Sequence, residues 1–119
     1  MDKPAVLVVE DEPILRRMAA IIIGHAGWNV VEASSSDEAL IVLAGHPEVR
    51  VLFTDADLPG PINGIELSER VHQARPDVEL IVTSARGSVP KRRLPDHGTF
   101  LPKPYGVSDL VQVLREKLC

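Results

Sequence analysis

The stretch Ala5-Val6-Leu7-Val8-Val9-Glu10-Asp11-Glu12-Pro13 decides the fold. A strand with one wet face alternates polar and apolar residues, so five apolar residues in succession read as a strand covered on both faces. The run then breaks into three carboxylates and a proline. Pro13 has no N–H to lose and a φ already set for a first helical turn, so a helix starts there with Asp11 or Glu12 as its cap. A buried strand passing directly into a helix is the opening half of a βαβ unit.

Working outward, the same alternation recurs. Helix one carries Ile14, Leu15, Met18, Ile22 and His25 to Ala26 at helical spacing, and Gly27 suits the left-handed residue beyond its end. Strand two covers Trp28 to Glu32. Ser35-Ser36-Asp37-Glu38 offers a capping box for helix two, whose Ala39, Leu40, Val42 and Leu43 face inward before Gly45 and Pro47 stop it. Strand three spans Val49 to Thr54. After the loop Leu58-Pro59-Gly60-Pro61-Ile62, Asn63-Gly64-Ile65-Glu66 offers a second capping box, and helix three carries Ile65, Leu67, Val71 and Ala74 up to Pro76. Strand four covers Val78 to Thr83, strand five Gly98 to Leu101, and a last helix Val107 to Leu118, with Leu110, Val111, Leu114 and Leu118 on one stripe. Where a fourth helix is due, Arg86 to His97 holds Gly87, Pro90 and Pro95. An interior proline costs about 3 kcal/mol, so this helix is expected to be degenerate, at most a turn between Pro90 and Leu94. The run Lys91-Arg92-Arg93 inside it reads as a solvated loop face.

Five such units in 119 residues make one α/β domain, 1–119, with a doubly wound, five-stranded parallel sheet of order 2-1-3-4-5. Composition fits a globular domain: 45% hydrophobic, 25% charged, with a net charge of −4. That acidic balance argues against nucleic acid, which needs a basic face. The longest apolar stretch, around Ile21-Ile22-Ile23, is too short to span a bilayer. A single cysteine, Cys119, cannot form an internal bridge and fits a reducing compartment. A cytoplasmic domain without membrane or nucleic-acid partner is the expectation.

The strand ends carry the chemistry. With strands one and three side by side, Glu10, Asp11 and Asp55 converge at one edge, where carboxylates repel unless a cation joins them. Oxygen ligands with room for water suit Mg²⁺. The plain alternative is that these acids merely cap helix one; for Asp11 alone that suffices, for all three it does not. Asp55 ends the apolar run Val51-Leu52-Phe53 and is the better nucleophile of the pair Asp55 and Asp57; a carboxylate attacking phosphorus gives an acyl phosphate. Thr83 and Ser84 bring hydroxyls to the same edge, and Lys103 a flexible cation. His25, His46, His72 and His97 lack metal-ligand spacing.

At these residues the chain resembles the receiver domain of two-component response regulators. Val8 to Pro13 is similar to the family's acidic-pair motif, Thr54-Asp55-Ala56-Asp57-Leu58-Pro59-Gly60 to its phosphoacceptor loop, Thr83-Ser84 to the switch hydroxyl and its small neighbour, and Lys103-Pro104-Tyr105 to its lysine-proline motif. The resemblance implies a flavodoxin-like receiver fold and Mg²⁺ held by Glu10, Asp11, Asp55 and the Asp57 backbone carbonyl. It further implies that Asp55 accepts a phosphoryl group from a phosphohistidine, that Thr83 and Lys103 bind it, that Phe100 reorients with Thr83, and that the Lys103–Pro104 bond is cis. The partners implied are a sensor histidine kinase or phosphotransfer protein and a downstream protein, with room for a weak homodimer; self-phosphorylation and self-dephosphorylation are the only activities implied.

Three features differ from the usual pattern. Glu10 stands where a second Asp is commoner, the loop Pro59 to Gly64 is one residue longer, and the fourth helix is degenerate. Other readings are a degenerate receiver acting as a binding module, a small Mg²⁺-dependent phosphohydrolase with an Asp nucleophile, and a flavodoxin-like cofactor binder. The last needs a Ser/Thr/Gly phosphate cradle where this chain has Glu10-Asp11-Glu12. The chain is read as a stand-alone receiver or a fragment of a longer protein.

Overall fold

Side chains of β1 (Ala5–Val9) alternate between two cores: Ala5, Leu7 and Val9 enter one, Val6 and Val8 the other. That is why the strand reads as an unbroken apolar run. The computed structural model describes residues 3–85, 94–95 and 98–118. After β1 come α1 (Pro13–His25), β2 (Asn29–Ala33), α2 (Ser36–Ala44), β3 (Val49–Asp55), α3 (Gly64–Ala74), β4 (Glu79–Ser84), β5 (Thr99–Pro102) and α4 (Val107–Leu118). The strands pair in parallel in the order β2-β1-β3-β4-β5, as expected. The expectations of a degenerate fourth helix and a solvated Lys91-Arg92-Arg93 face lie outside the described residues.

One face of the sheet buries Ala39, Leu43, Leu67 and Val71 of α2 and α3; the other buries Ala19, Ile23, Leu110 and Leu114 of α1 and α4. Leu7, Leu52, Leu80 and Ile81 are fully buried in the central strands. At about 2 kcal/mol each, such residues make the centre of the sheet a firm base for charges that repel one another. Among the described residues no helix is long and apolar enough to cross a membrane.

Element limits differ from the sequence pattern by single residues. β2, β4 and β5 sit one residue later than expected, and β3 continues through Asp55. Pairing with the neighbouring strand sets these ends: Ala33 lies opposite Val9, Asp55 opposite Thr83 and Ser84 opposite Pro102. Glu38 accepts from the Ser34 N–H rather than from Ser35, so the first capping box closes one residue early, while the Asn63–Glu66 box is complete. Gly27 follows α1 at φ 106°, as its position implied.

The larger correction concerns α1. Ile14, Leu15 and Met18 are 68%, 42% and 54% exposed, and the buried residues are Ala19, Ala20 and Ile23. Apolar residues occupy both sides of this helix, so periodicity could not choose between them; the small alanines are the ones that allow close approach to the sheet. In α4 it is Val113 rather than Val111 that packs with Leu110, Leu114 and Leu118.

Candidate functional site

The carboxyl ends of β1, β3, β4 and β5 bring Glu10, Asp55, Thr83 and Lys103 together. Glu12 occupies the N-cap position of α1 without a side-chain capping bond, and its N–H instead donates to Glu10 Oε2 at 3.3 Å. Helix capping therefore does not explain these acids. One carboxylate oxygen from each of Glu10, Asp11 and Asp55 lies within 4.8 Å of the others, Asp11 being exposed and the other two buried.

Asp55 is held from several sides. The β3–α3 loop doubles back so tightly that a Cβ on Gly64 would lie 1.7 Å from the Asp55 carbonyl oxygen, and the Gly64 N–H donates to Ala56 O at 3.0 Å. Leu58 is buried in the core and the Ile62 carbonyl accepts from Ser36 Oγ at 2.9 Å, fixing the rest of the loop. Asp55 Oδ1 accepts from the Asp57 N–H at 2.9 Å and Oδ2 from Lys103 Nζ at 3.2 Å. Lys103 donates more closely to Glu10 Oε1, at 2.7 Å.

Electrostatics follow from this crowding. Burial is the main cause that raises the Glu10 carboxyl above its ordinary 4.5, aided by the neighbouring Asp55 charge, against the opposing bonds from Lys103 and the Glu12 N–H. Burial works against the Lys103 ammonium too, but its bonds and attraction to Glu10 and Asp55 outweigh that and hold it above the usual lysine value. Burial also raises the Tyr105 phenol, whose ring meets Phe53 edge-on at 5.6 Å.

Thr83 Oγ1 is buried with no hydrogen-bond partner among the described residues. A hydroxyl left so beside the acid pair is a costly arrangement unless a ligand meets it. A cavity of about 10 Å³ reaches it, lined in part by Glu10, Asp55 and Tyr105. Phe100 is half-buried on β5, opposite Val82. The Lys103–Pro104 bond is cis. The Asp57 carboxylate turns to Ser84, whose Oγ donates to it at 2.6 Å. Sequence reasoning anticipated neither that bond nor the Glu10–Lys103 pair. The one available signal for the pair was the longer reach of Glu over Asp at position 10.

The donor set suits a hard divalent cation, since it offers oxygen alone, and a cation there would favour the charged form of Glu10 that burial, and to a lesser degree the Asp55 charge, oppose. A doubly wound sheet with carboxylates at its central strand ends and a lysine reaching them from an edge strand defines a class of α/β domain. The chain belongs to the response regulator receiver domain family, whose sequence profile matches residues 6–115. It is similar to the probable transcriptional regulatory protein TcrX of Mycobacterium tuberculosis, 28% identical over 116 residues that cover 95% of this chain and 49% of TcrX. It is 32% identical over 119 residues to the sensor kinase CckA of Brucella abortus, covering 95% of this chain and 12% of that protein. The chain thus spans about half the length of TcrX and a smaller part of CckA. The solved receiver domain of NtrX from Brucella abortus superposes with a TM-score of 0.85 at 26% identity, over 95% of this chain and 97% of that one.

Proposed function

We propose that the chain is a phosphoacceptor domain of a two-component system, with Asp55 as the acceptor. A sensor histidine kinase or phosphotransfer protein supplies the phosphoryl group. An Asp55 carboxylate oxygen attacks the phosphorus, the P–N bond to the donor histidine breaks, and that ring nitrogen keeps the electron pair and takes a proton. Lys103 and the Thr83 hydroxyl then hold the phosphoryl oxygens. Glu10, Asp11, Asp55 and the Asp57 backbone carbonyl would hold Mg²⁺, which when bound offsets the charge gathered in the transition state.

The observation that carries this reading is the pairing of Asp55 with Lys103 at 3.2 Å, with Thr83 opposite Asp55 on the next strand and its buried hydroxyl without a hydrogen-bond partner among the described residues: a nucleophile, a cation and a spare donor are gathered at one edge of the sheet. The exposed Ile14, Leu15 and Met18 on α1, next to the acids, offer an apolar surface for the donor protein. Phe100 is the aromatic that shifts with Thr83, and a downstream protein reads the change. Residues 1–119 act as one receiver domain in the cytoplasm.

Acetyl-phosphate labelling with Mg²⁺, followed by phosphopeptide mapping, tests the reading. Label is expected on Asp55 and none in Asp55→Asn. Persistent label at Asp57 or Asp11 in that variant would show the nucleophile to be misassigned, and labelling that proceeds in chelator would remove the cation from the scheme.

A further inference from the structure

Four residues at this edge close a ring of hydrogen bonds. Asp57 N–H donates to Asp55 Oδ1 at 2.9 Å, Ser84 Oγ donates to Asp57 Oδ2 at 2.6 Å, Lys103 N–H donates to Ser84 O at 3.0 Å, and Lys103 Nζ donates to Asp55 Oδ2 at 3.2 Å. Asp55 is thus gripped by one oxygen from the β3–α3 loop and by the other from the end of β5. Ser84, 2% exposed at the end of β4, is bonded to both grips through different atoms.

We propose that Ser84 is a positioning residue for the nucleophile: its hydroxyl, acting through Asp57, fixes the plane of the Asp55 carboxylate relative to Lys103. The inference rests on Asp55 being the phosphoacceptor. Ser84 does not touch Asp55 in this arrangement; it sets where the two donors to Asp55 stand relative to each other. A carboxylate pinned at both oxygens presents its lone pairs in one direction, and in-line attack on phosphorus depends on that direction. The alternative is that Ser84 is present only because a small side chain fits a buried strand end. A small side chain with no directed role would leave the short bond to Asp57 without effect on rate.

The test is a cycle of Ser84→Ala, Asp57→Ala and the double variant in the full chain, labelled with acetyl phosphate over a range of donor and Mg²⁺ concentrations. Ser84→Ala keeps the backbone carbonyl that Lys103 uses, and Asp57→Ala keeps its backbone N–H. Each single variant should lower the maximal labelling rate roughly five- to tenfold, the range that the net worth of one hydrogen bond allows. The double variant should be no slower than the slower single, because both remove the same link. Half-saturating acetyl phosphate and the Mg²⁺ dissociation constant from calorimetry should stay within about twofold in Ser84→Ala, since positioning acts on the maximal rate rather than on binding. A wild-type maximal rate in Ser84→Ala overturns the inference, as does a double variant whose loss is the product of the single losses. If the wild-type chain takes label elsewhere than Asp55, the acceptor assignment fails first and this inference with it.

Discussion

Gly64→Ala should be among the most damaging one-carbon changes available to this protein. An added Cβ would lie 1.7 Å from the Asp55 carbonyl oxygen, 2.6 Å from its carbonyl carbon and 2.9 Å from Ala56 Cα. Ordinary carbon–oxygen contact begins near 3.3 Å, so the overlap is about 1.6 Å, and all three atoms are backbone. Relief requires moving α3 or the end of β3, each anchored by a filled core, which puts the cost at the upper end of the overpacking range, about 3 kcal/mol. With an unfolding entropy of about 2.1 cal/mol/K per residue, 119 residues give roughly 0.25 kcal/mol per degree, so Tm should fall by about 12 °C. Thermal unfolding followed by circular dichroism measures this. Gly24→Ala is the control: nothing lies within 4 Å of its added carbon, it sits in α1, and Tm should rise by about 2–4 °C. A Gly64→Ala protein melting within about 3 °C of wild type would refute the argument that the glycine is required by the approach of the loop to Asp55.

Lys103→Met should leave Glu10 and Asp55, with side chains 8% and 9% exposed, facing each other without a cation, at a cost of about 2 kcal/mol that millimolar Mg²⁺ reverses; urea unfolding with and without the ion checks both parts. Because the folded pKa of Glu10 is raised, the folded state holds its proton more tightly than the unfolded chain. Stability from this group is therefore greatest in acid and declines as pH climbs from the ordinary 4.5 through the raised value; the stability difference between wild type and Glu10→Gln should drift in that direction, and a flat difference would contradict it. The raised Lys103 value has the complementary effect: its contribution is complete below the unfolded lysine value and is lost only as pH rises through the higher folded one, so wild type should lose stability more steeply than Lys103→Met in strong alkali. Asn63→Ala removes one half of the complete capping box and should cost about 1 kcal/mol, read as a lower urea midpoint with unchanged slope.

The parallel sheet was legible because burial on both faces leaves the same mark in every central strand: Val6 to Val9 and Val51 to Phe53 lack polar alternation and end in acids. Asp55, Lys103 and Glu10 could be chosen from their places at strand ends, since topology alone brings those ends together. The inner face of α1 was not legible, because Ile14, Leu15, Met18 and Ile21 are as apolar as the residues that face the sheet. The bond from Ser84 to Asp57 was hidden for another reason: it joins residues 27 apart through side-chain rotamers, which no periodicity encodes. The closeness of Gly64 to Asp55 likewise depends on the path of a loop, whereas the capping box that follows it was evident in the order Asn-Gly-Ile-Glu.

Lys103 reaches Asp55 and Glu10 from two and three strands away in the order β1-β3-β4-β5. At about 4.8 Å per strand, β5 and β1 stand roughly 14 Å apart, so the amine works at the end of an extended arm. Its carboxylate contacts rest on β1 and β3, interior strands with neighbours on both sides, while its own strand is a four-residue margin paired, among the described residues, with β4 alone. Any group that draws the amine aside therefore sets a stiff anchor against a compliant one. The displacement falls on β5 rather than on the interior of the sheet, as a load on a bracket bends the arm and spares the wall.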